Sequence, residues 1–372
     1  MPETSPSPVG SRQRTARHGA ARFEDALHDI RERFARWRGH VPTVIPYTGY
    51  GSTEWVRVLC RVLLSKPAKP VKATKAGARA KRRASREQGI RGWRSFTSVP
   101  VGEVAVSIEV GGQRLEVLAD RGGVVDTKVP VHLEPGWHVA TLRVAGSAPV
   151  EAPVHVIDPD ARFGIISDVD DTVMVTALPR PLVAAWNTFV LDEHARIPTP
   201  GMAVLYERLV RAYPGAPVIY LSTGAWNVAP ALTRFLSRNL YPAGPLLLTD
   251  WGPTHDRWFR SGRAHKEENL RRLAEEFPDL RWLLIGDDGQ HDEELYARFA
   301  AEHPERVLAV AIRRLSPGEA VLAGGRTKTE EHAAGLPWVS AGDGSNLADQ
   351  LAAAGILNAS RSDGADGTGD ER

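Results

Sequence analysis

The stretch Phe163-Gly-Ile-Ile-Ser-Asp168-Val-Asp170-Asp171-Thr172 decides the fold. Phe163 to Ile166 is a short apolar run rich in isoleucine, which reads as a buried strand. It stops abruptly at Asp168, Asp170 and Asp171. Carboxylates crowded at one strand end repel one another unless positive charge sits between them. A hard divalent cation with oxygen ligands fills that role, Mg²⁺ above all. The competing reading is an acidic turn, since Asp favours local turn hydrogen bonds. The residues downstream decide between the two.

Beyond this stretch, strands alternate with helices. Strands are expected at 163–167, Val218–Leu221, Pro245–Leu248, Arg281–Ile285 and Val307–Ile312, with helices near 226–239, at Lys266–Glu276 and at Glu293–Glu302. This alternation predicts βαβ units and a parallel sheet. Ligands of such sheets sit beyond the carboxyl ends of the strands. The polar clusters fall there: Asp168-Val-Asp170-Asp171-Thr172, then Ser222-Thr223-Gly224, then Lys266 at an expected helix start, then Gly286-Asp287-Asp288-Gly289-Gln290-His291-Asp292. Carboxylates, a hydroxyl and a lysine therefore converge from different strand ends.

The set suits phosphoryl chemistry. One carboxylate can attack phosphorus and form an acyl phosphate. A second can protonate the leaving oxygen and later deprotonate water. An anionic carboxylate approaching an anionic phosphate needs compensating charge, which Mg²⁺ and Lys266 would supply while the Ser222 hydroxyl holds phosphoryl oxygens.

These motifs resemble the haloacid dehalogenase superfamily of phosphotransferases over about residues 160–315. More narrowly, Ile166–Val173, Tyr220–Asn227, His265-Lys266 and Ile285–Asp292 with Tyr296 resemble the actin-patch-protein phosphatidate phosphatase family, and that likeness reaches Tyr47–Leu64. The resemblance implies Asp168 as nucleophile, Asp170 as general acid/base, Thr172 as a support for the loop or for Asp170, Ser222 as phosphoryl ligand and Lys266 as neutralising cation. It implies Mg²⁺ bound by Asp168, the Asp170 carbonyl and Asp287, with Asp292 behind them; either Asp287 or Asp288 could face the metal. It also implies a Rossmann-like α/β domain preceded by a β-rich, sandwich-like domain. The chain departs from the family pattern at Thr223-Gly224 and at Asp288. The implied reaction is hydrolysis of a phosphomonoester, phosphatidate to diacylglycerol first. A soluble phosphomonoester is the alternative substrate, and a membrane- or partner-binding module the alternative role.

The remaining chain sorts around this domain. Residues 1–19 and 358–372 read as disordered, with little to bury. In 20–40, Phe23, Leu27, Ile30, Phe34 and Trp37 fall on one helical stripe that Gly39 ends. The expected reading is a helix docked on its own protein by that stripe. The rival is an interfacial membrane helix, which the mixed polar faces count against, since Glu24, Asp25, Asp29 and Glu32 stand among the arginines and such helices usually show a mainly basic polar face. Residues 41–159 read as β structure, with Val41–Tyr50 turn-rich, Glu54–Leu64 a long strand, Gly111-Gly112 a hairpin turn, and the whole sandwich-like. Within it, Lys66–Arg94 holds eleven basic residues against the single acid Glu87. Such a block suits a solvated loop or contact with an anionic membrane. Residues 160–357 complete the phosphatase-like domain. Apolar residues in Met174–Met202, with Trp226, Trp251, Trp258 and Phe259, read as packing or as a greasy rim for a lipid; Arg257, Arg260 and Arg263 are candidate phosphate contacts.

A net charge of +2 does not argue for nucleic acid as a partner. A single cysteine, Cys60, excludes an internal disulfide and suits a reducing cytoplasm. Its place in the apolar run Val56–Leu64 points to a structural thiol. No signal-like or membrane-spanning apolar run is expected, so the expected localisation is cytoplasmic with peripheral membrane contact.

Overall fold

The computed structural model describes residues 30–66, 99–175, 197–249, 255–289, 291–322 and 335–358; over 255–261 only the backbone is described. The expectations for the two termini, for most of the basic run and for most of the insert after Met174 lie outside these residues. By contact the chain divides into two units. One takes in Met1–Tyr47, Val58–Val129 and Val139–Pro153, the other Thr48–Arg57, Pro130–His138 and Val154–Arg372.

In the first unit, residues 30–37 form a helix. Gly39 has φ +77° and ends it. The His40 N–H donates to the Ala35 carbonyl (3.1 Å) and the Gly39 N–H to that of Arg36 (2.9 Å). These are the two bonds of a Schellman cap, which needs the left-handed conformation that glycine adopts without penalty. The stripe expected to face the protein does not. Ile30, Phe34 and Trp37 are exposed, whereas Glu32 and Ala35 on the opposite side are half-buried.

The β strands are β1 (Val41–Pro46), β2 (Gly49–Ser52), β3 (Trp55–Ser65), β4 (Ala105–Val110), β5 (Gln113–Leu118), β6 (Val124–Pro130), β7 (Gly136–Val144) and β8 (Val150–Val156). In the first unit β1 runs antiparallel to the second half of β3, with Val44 opposite Val62. β4 is antiparallel to β5 and to β7, with Ile108 opposite Leu115 and Leu142. Gly111 and Gly112 both have positive φ (54° and 79°), as a tight hairpin turn requires. Cys60 is fully buried in β3, and burial pushes its thiol up to about 12.

The segment read as turn-rich, Val41–Tyr50, is instead mostly strand. Its glycine, Gly49, and the neighbouring Gly51 both lie in β2. A Cβ on Gly49 would lie 2.3 Å from the Arg57 carbonyl oxygen, and one on Gly51 would lie 2.1 Å from that of Trp55. Glycine serves close strand approach here, not a turn.

The second unit carries β9 (Phe163–Asp168), the short pair β10 (Met174–Val175) and β11 (Ile197–Pro198), β12 (Val218–Ala225), β13 (Leu246–Thr249), β14 (Arg281–Asp287), β15 (Val307–Arg313) and β16 (Trp338–Ala341). Six of these form one sheet in the order β13-β12-β9-β14-β15-β16, every pair parallel. All six residues of β9 are buried. A strand covered on both faces has no polar alternation to show, which is why it reads as a continuous apolar run. Trp282 lies over Gly164, where a Cβ would sit 2.5 Å from the indole.

The helices are Met202–Ala212, Ala229–Arg238, His255–Glu276, Asp292–Glu302, Pro317–Leu322 and Gly344–Ala353. Lys266, expected at a helix start, lies mid-helix. The helix crosses Gly262, where a Cβ would come within 3.0 Å of Thr223 on β12. β16 was missed within the Gly/Ala-rich stretch 316–357, and the short helix expected there at Asp349–Leu357 runs over Gly344–Ala353. Among the described residues no helix is long and apolar enough to cross a membrane.

The buried thiol gives a direct check. At neutral pH a disulfide reagent should titrate no thiol in the native protein and the single Cys60 in urea. Because the folded-state value is raised, the contribution of Cys60 to stability should fall as pH rises from 9 towards 12, which urea melts in that range would read.

Candidate active site

β9 lies between β12 and β14, and their register fixes the site. Leu221 is opposite Asp168, and Ser167 is opposite Ile285. The carboxyl ends of three parallel strands therefore open at one edge, where ligands of such sheets bind. Asp168, Asp170, Thr172, Ser222, Lys266, Asp287, Asp288 and Asp292 are all buried.

Lys266 is the centre of the cluster. Its Nζ donates to Asp168 Oδ1 (2.7 Å) and to Asp292 Oδ1 (2.6 Å). The Lys266, Asp168 and Asp292 side chains are 8%, 3% and 1% exposed. Burial opposes the ammonium, yet the two carboxylates outweigh it and hold the Lys266 pKa above its ordinary value. Burial pushes Asp168 and Asp287 above the usual carboxylate range, with neighbouring carboxylates adding to the shift.

Carboxylate oxygens of Asp168, Asp287 and Asp292 lie within 4.8 Å of one another. Three buried carboxylates face one ammonium, so the cluster favours a further positive charge. Hard oxygen donors in this grouping fit a divalent cation such as Mg²⁺. Asp292 Oδ2 is buried and accepts no hydrogen bond among the described residues. Asp287 Oδ1 accepts the Gly289 N–H at 2.7 Å. Asp288, by contrast, turns to the main chain: its Oδ1 accepts the Leu315 N–H at 2.8 Å. Asp292 is the first residue of its helix, where a carboxylate also meets the positive end of the helix dipole.

Asp170 belongs to a second group. The Ser222 hydroxyl donates to Asp170 Oδ2 (2.9 Å) and accepts the Gly224 N–H (2.9 Å). The Thr172 hydroxyl is buried and has no hydrogen-bond partner among the described residues. Trp226 is buried. Arg263 pairs with Glu267 and Glu294 rather than standing ready for an anion. Met174 and Met202 are fully buried and Ile197 is exposed; residues 176–196, Trp251, Trp258, Phe259, Arg257 and Arg260 lie outside the described side chains.

Sequence reading missed the residues that hold the acidic turn by its backbone. Ser167 shares a short hydrogen bond with the buried Tyr206 and donates to the Asp168 carbonyl at 2.6 Å. Arg313, buried at the end of β15, donates to the Asp171 carbonyl at 2.6 Å and to Glu319 at 2.6 Å. Tyr241 donates to the Val173 carbonyl at 2.8 Å. Asp171 itself has φ +60°, a conformation that Asp tolerates better than most residues. An arginine closing an apolar strand, Val307–Arg313, was the available signal.

The lysine helix is held at its far end too. Glu276 accepts from Arg57 (2.5 Å) and from the Tyr50 hydroxyl (3.0 Å). Arg57 offsets a carboxylate that is unfavourable at a helix C-terminus.

Comparison with known proteins places this geometry. Residues 163–314 match the model of the phosphatidate phosphatase APP1 catalytic domain. The resemblance carried by the motifs is borne out for that segment. Saccharomyces cerevisiae phosphatidate phosphatase APP1 is 26% identical over 163 residues, 43% of this chain and 27% of the relative. An uncharacterised Schizosaccharomyces pombe protein is 28% identical over 160 residues, 41% of this chain and 25% of the relative. The chain thus spans about a quarter of the length of these curated relatives. Among solved structures, the HAD domain of the Legionella pneumophila effector Lem4 is similar at 16% identity over 42% of this chain and 88% of its own, with a TM-score of 0.28. A carbohydrate acetylesterase from Xanthomonas citri is similar at 12% identity over 76% of this chain and 73% of its own, with a TM-score of 0.27. At such scores neither carries an argument, and the α/β reading rests on the parallel strand order.

Arg313 should therefore matter without touching a reacting atom. Arg313→Met is expected to lower stability by about 2 kcal/mol, since it strips a charged donor from the Asp171 carbonyl and from Glu319. Arg313→Lys should recover only part of that, because an ammonium lacks the fork that reaches both. Urea melts of the two variants measure it.

Proposed function

We propose that this chain is an Mg²⁺-dependent phosphomonoesterase of the haloacid dehalogenase type, acting on phosphatidate through an aspartyl-phosphate intermediate. One observation carries the reading: Asp168, Lys266, Asp287 and Asp292 are buried together at the carboxyl edge of a parallel sheet. The match of residues 163–314 to the APP1 catalytic domain supports phosphatidate as the first substrate to try. The chain's place at a membrane surface in the cytoplasm is part of the same proposal, as is the sandwich-like character of the β-rich region.

The chemistry follows from the partners. Asp168 attacks phosphorus, a new O–P bond forms, and the bond to the leaving oxygen breaks. Lys266 holds Asp168 Oδ1 and balances the charge that gathers there. Asp170 gives its proton to the leaving alkoxide. It then takes a proton from the water that attacks the acyl phosphate, which frees inorganic phosphate and restores Asp168. Ser222 orients Asp170 through the 2.9 Å bond to Oδ2, and Gly224 fixes Ser222 in turn. Asp168 and Asp287, with the Asp170 carbonyl, are the groups that would hold Mg²⁺, and Asp292 closes the cluster. Bound there, the cation supplies positive charge facing the phosphoryl oxygens. A neutral amide in place of the Asp168 carboxylate can neither attack nor complete that cluster.

Asp168→Asn should abolish phosphate release from phosphatidate in mixed micelles, with the thermal melt of the fold retained. Turnover unchanged by this substitution would overturn the reading. A panel of soluble phosphomonoesters assayed alongside separates lipid from soluble substrates. Millimolar Mg²⁺ should raise the melting temperature of the wild-type chain and EDTA should reverse it, by about 1–3 kcal/mol of linkage at ten to a hundred times the dissociation constant. Asp287→Asn should abolish that shift.

A further inference from the structure

We infer that the helix at residues 30–37 is a docking face for an anionic lipid bilayer. Ile30, Phe34 and Trp37 are 64%, 54% and 80% exposed, and no other described helix turns so apolar a stripe outward. At 100° per residue the three side chains fall within about 60° of arc. Phe34 and Trp37 lie against each other with ring centroids 5.7 Å apart.

The charges are arranged around that stripe. On the same helical projection Arg31 and Arg38 flank it on one side and Arg33 on the other, while Arg36 lies further round. Arg38 lies over the Phe34 ring, 5.5 Å from its centroid. The one acid among the described residues of the helix, Glu32, is on the far face, where it pairs with Arg36 at 2.8 Å. An apolar centre with an arginine border on both flanks is the pattern of a helix lying in a bilayer interface. Its aromatic and aliphatic groups enter the acyl boundary while guanidinium groups reach the headgroups. A border of three arginines, Arg31, Arg33 and Arg38, commits the partner to an anionic surface. The basic run Lys66–Arg94 in the same chain has the same preference in its sequence. The helix is fixed at its C-terminal end by the Gly39 cap, so the stripe is preorganised rather than formed on contact. Its more covered side is Ala35 and Glu32, both half-buried.

The test is co-sedimentation of the full chain with phosphatidylcholine vesicles and with vesicles that also carry phosphatidylserine. Neither contains phosphatidate, and binding needs no turnover, so the outcome is separate from the phosphatase reading. The wild type should partition onto the anionic vesicles and leave the neutral ones largely unbound. The combined variant Ile30→Ser, Phe34→Ser, Trp37→Ser should partition about tenfold less, with its urea melt and its activity on a soluble phosphomonoester unchanged. A chain lacking Lys66–Arg94 should keep the part of the binding that the triple variant loses. Equal partition of wild type and triple variant would overturn the proposal. So would a wild type that self-associates in sedimentation velocity through this face, with the triple variant monomeric and vesicle binding unaltered.

Discussion

The buried ammonium of Lys266, held between the carboxylates of Asp168 and Asp292, is the contact on which the rest of the site depends. Removing two charges from water is costly, and the pair persists only because each partner answers the other at hydrogen-bond distance. The arrangement still carries surplus negative charge once Asp287 is counted. That surplus is what a divalent cation bound among the three carboxylates would offset. Structural ion pairs aim at neutrality, whereas this one stops short of it.

The sheet delivers the side chains, but the turn after β9 needs its own support. Three main-chain carbonyls of that turn and its flanks are held from outside: Asp168 by Ser167, Asp171 by Arg313, and Val173 by Tyr241. Gripping carbonyls fixes the turn by its backbone, while the Asp168 and Asp170 carboxylates meet Lys266 and Ser222. Asp171, at φ +60°, is placed by this network as the bend that separates Asp168 from Asp170. Its own function is structural, in keeping with a carboxylate whose backbone is the part being gripped.

Glycine at Gly286 shows the packing limit of the same region. A Cβ there would fall 2.7 Å from the Tyr296 ring and 2.8 Å from Asp292 Oδ2. The helix that begins at Asp292 can come this close to β14 only over a residue without a side chain. Tyr296 uses that proximity to donate to the Ile285 carbonyl at 3.1 Å. In the Gly-Asp pair at the end of β14 the first residue therefore serves packing, and the second stands in the carboxylate cluster with Asp168 and Asp292.

Much of this was written locally in the chain. The apolar run Phe163–Ile166 ending in acids, the β/α alternation, and polar clusters falling after strands together determined a parallel sheet and its reactive edge, because burial on both faces and ligand placement at strand ends leave direct marks on residue order. The stripe Ile30, Phe34, Trp37 and the capping Gly39 were equally legible. Tertiary structure alone decided the rest. Periodicity defines a stripe without saying which way it faces, and here the helix turns Ala35 and Glu32 inward instead. That Val41–Tyr50 is strand was equally hidden, since the clash that Gly49 and Gly51 avoid is with a backbone that folding brings alongside. The choice between Asp287 and Asp288 depended on which carboxylate meets Asp168 and which meets the Leu315 N–H. The grip of Arg313 on Asp171 spans the sheet between residues far apart in the chain, and no pattern within either segment encodes a hydrogen bond made only when β9 and β15 lie in one sheet.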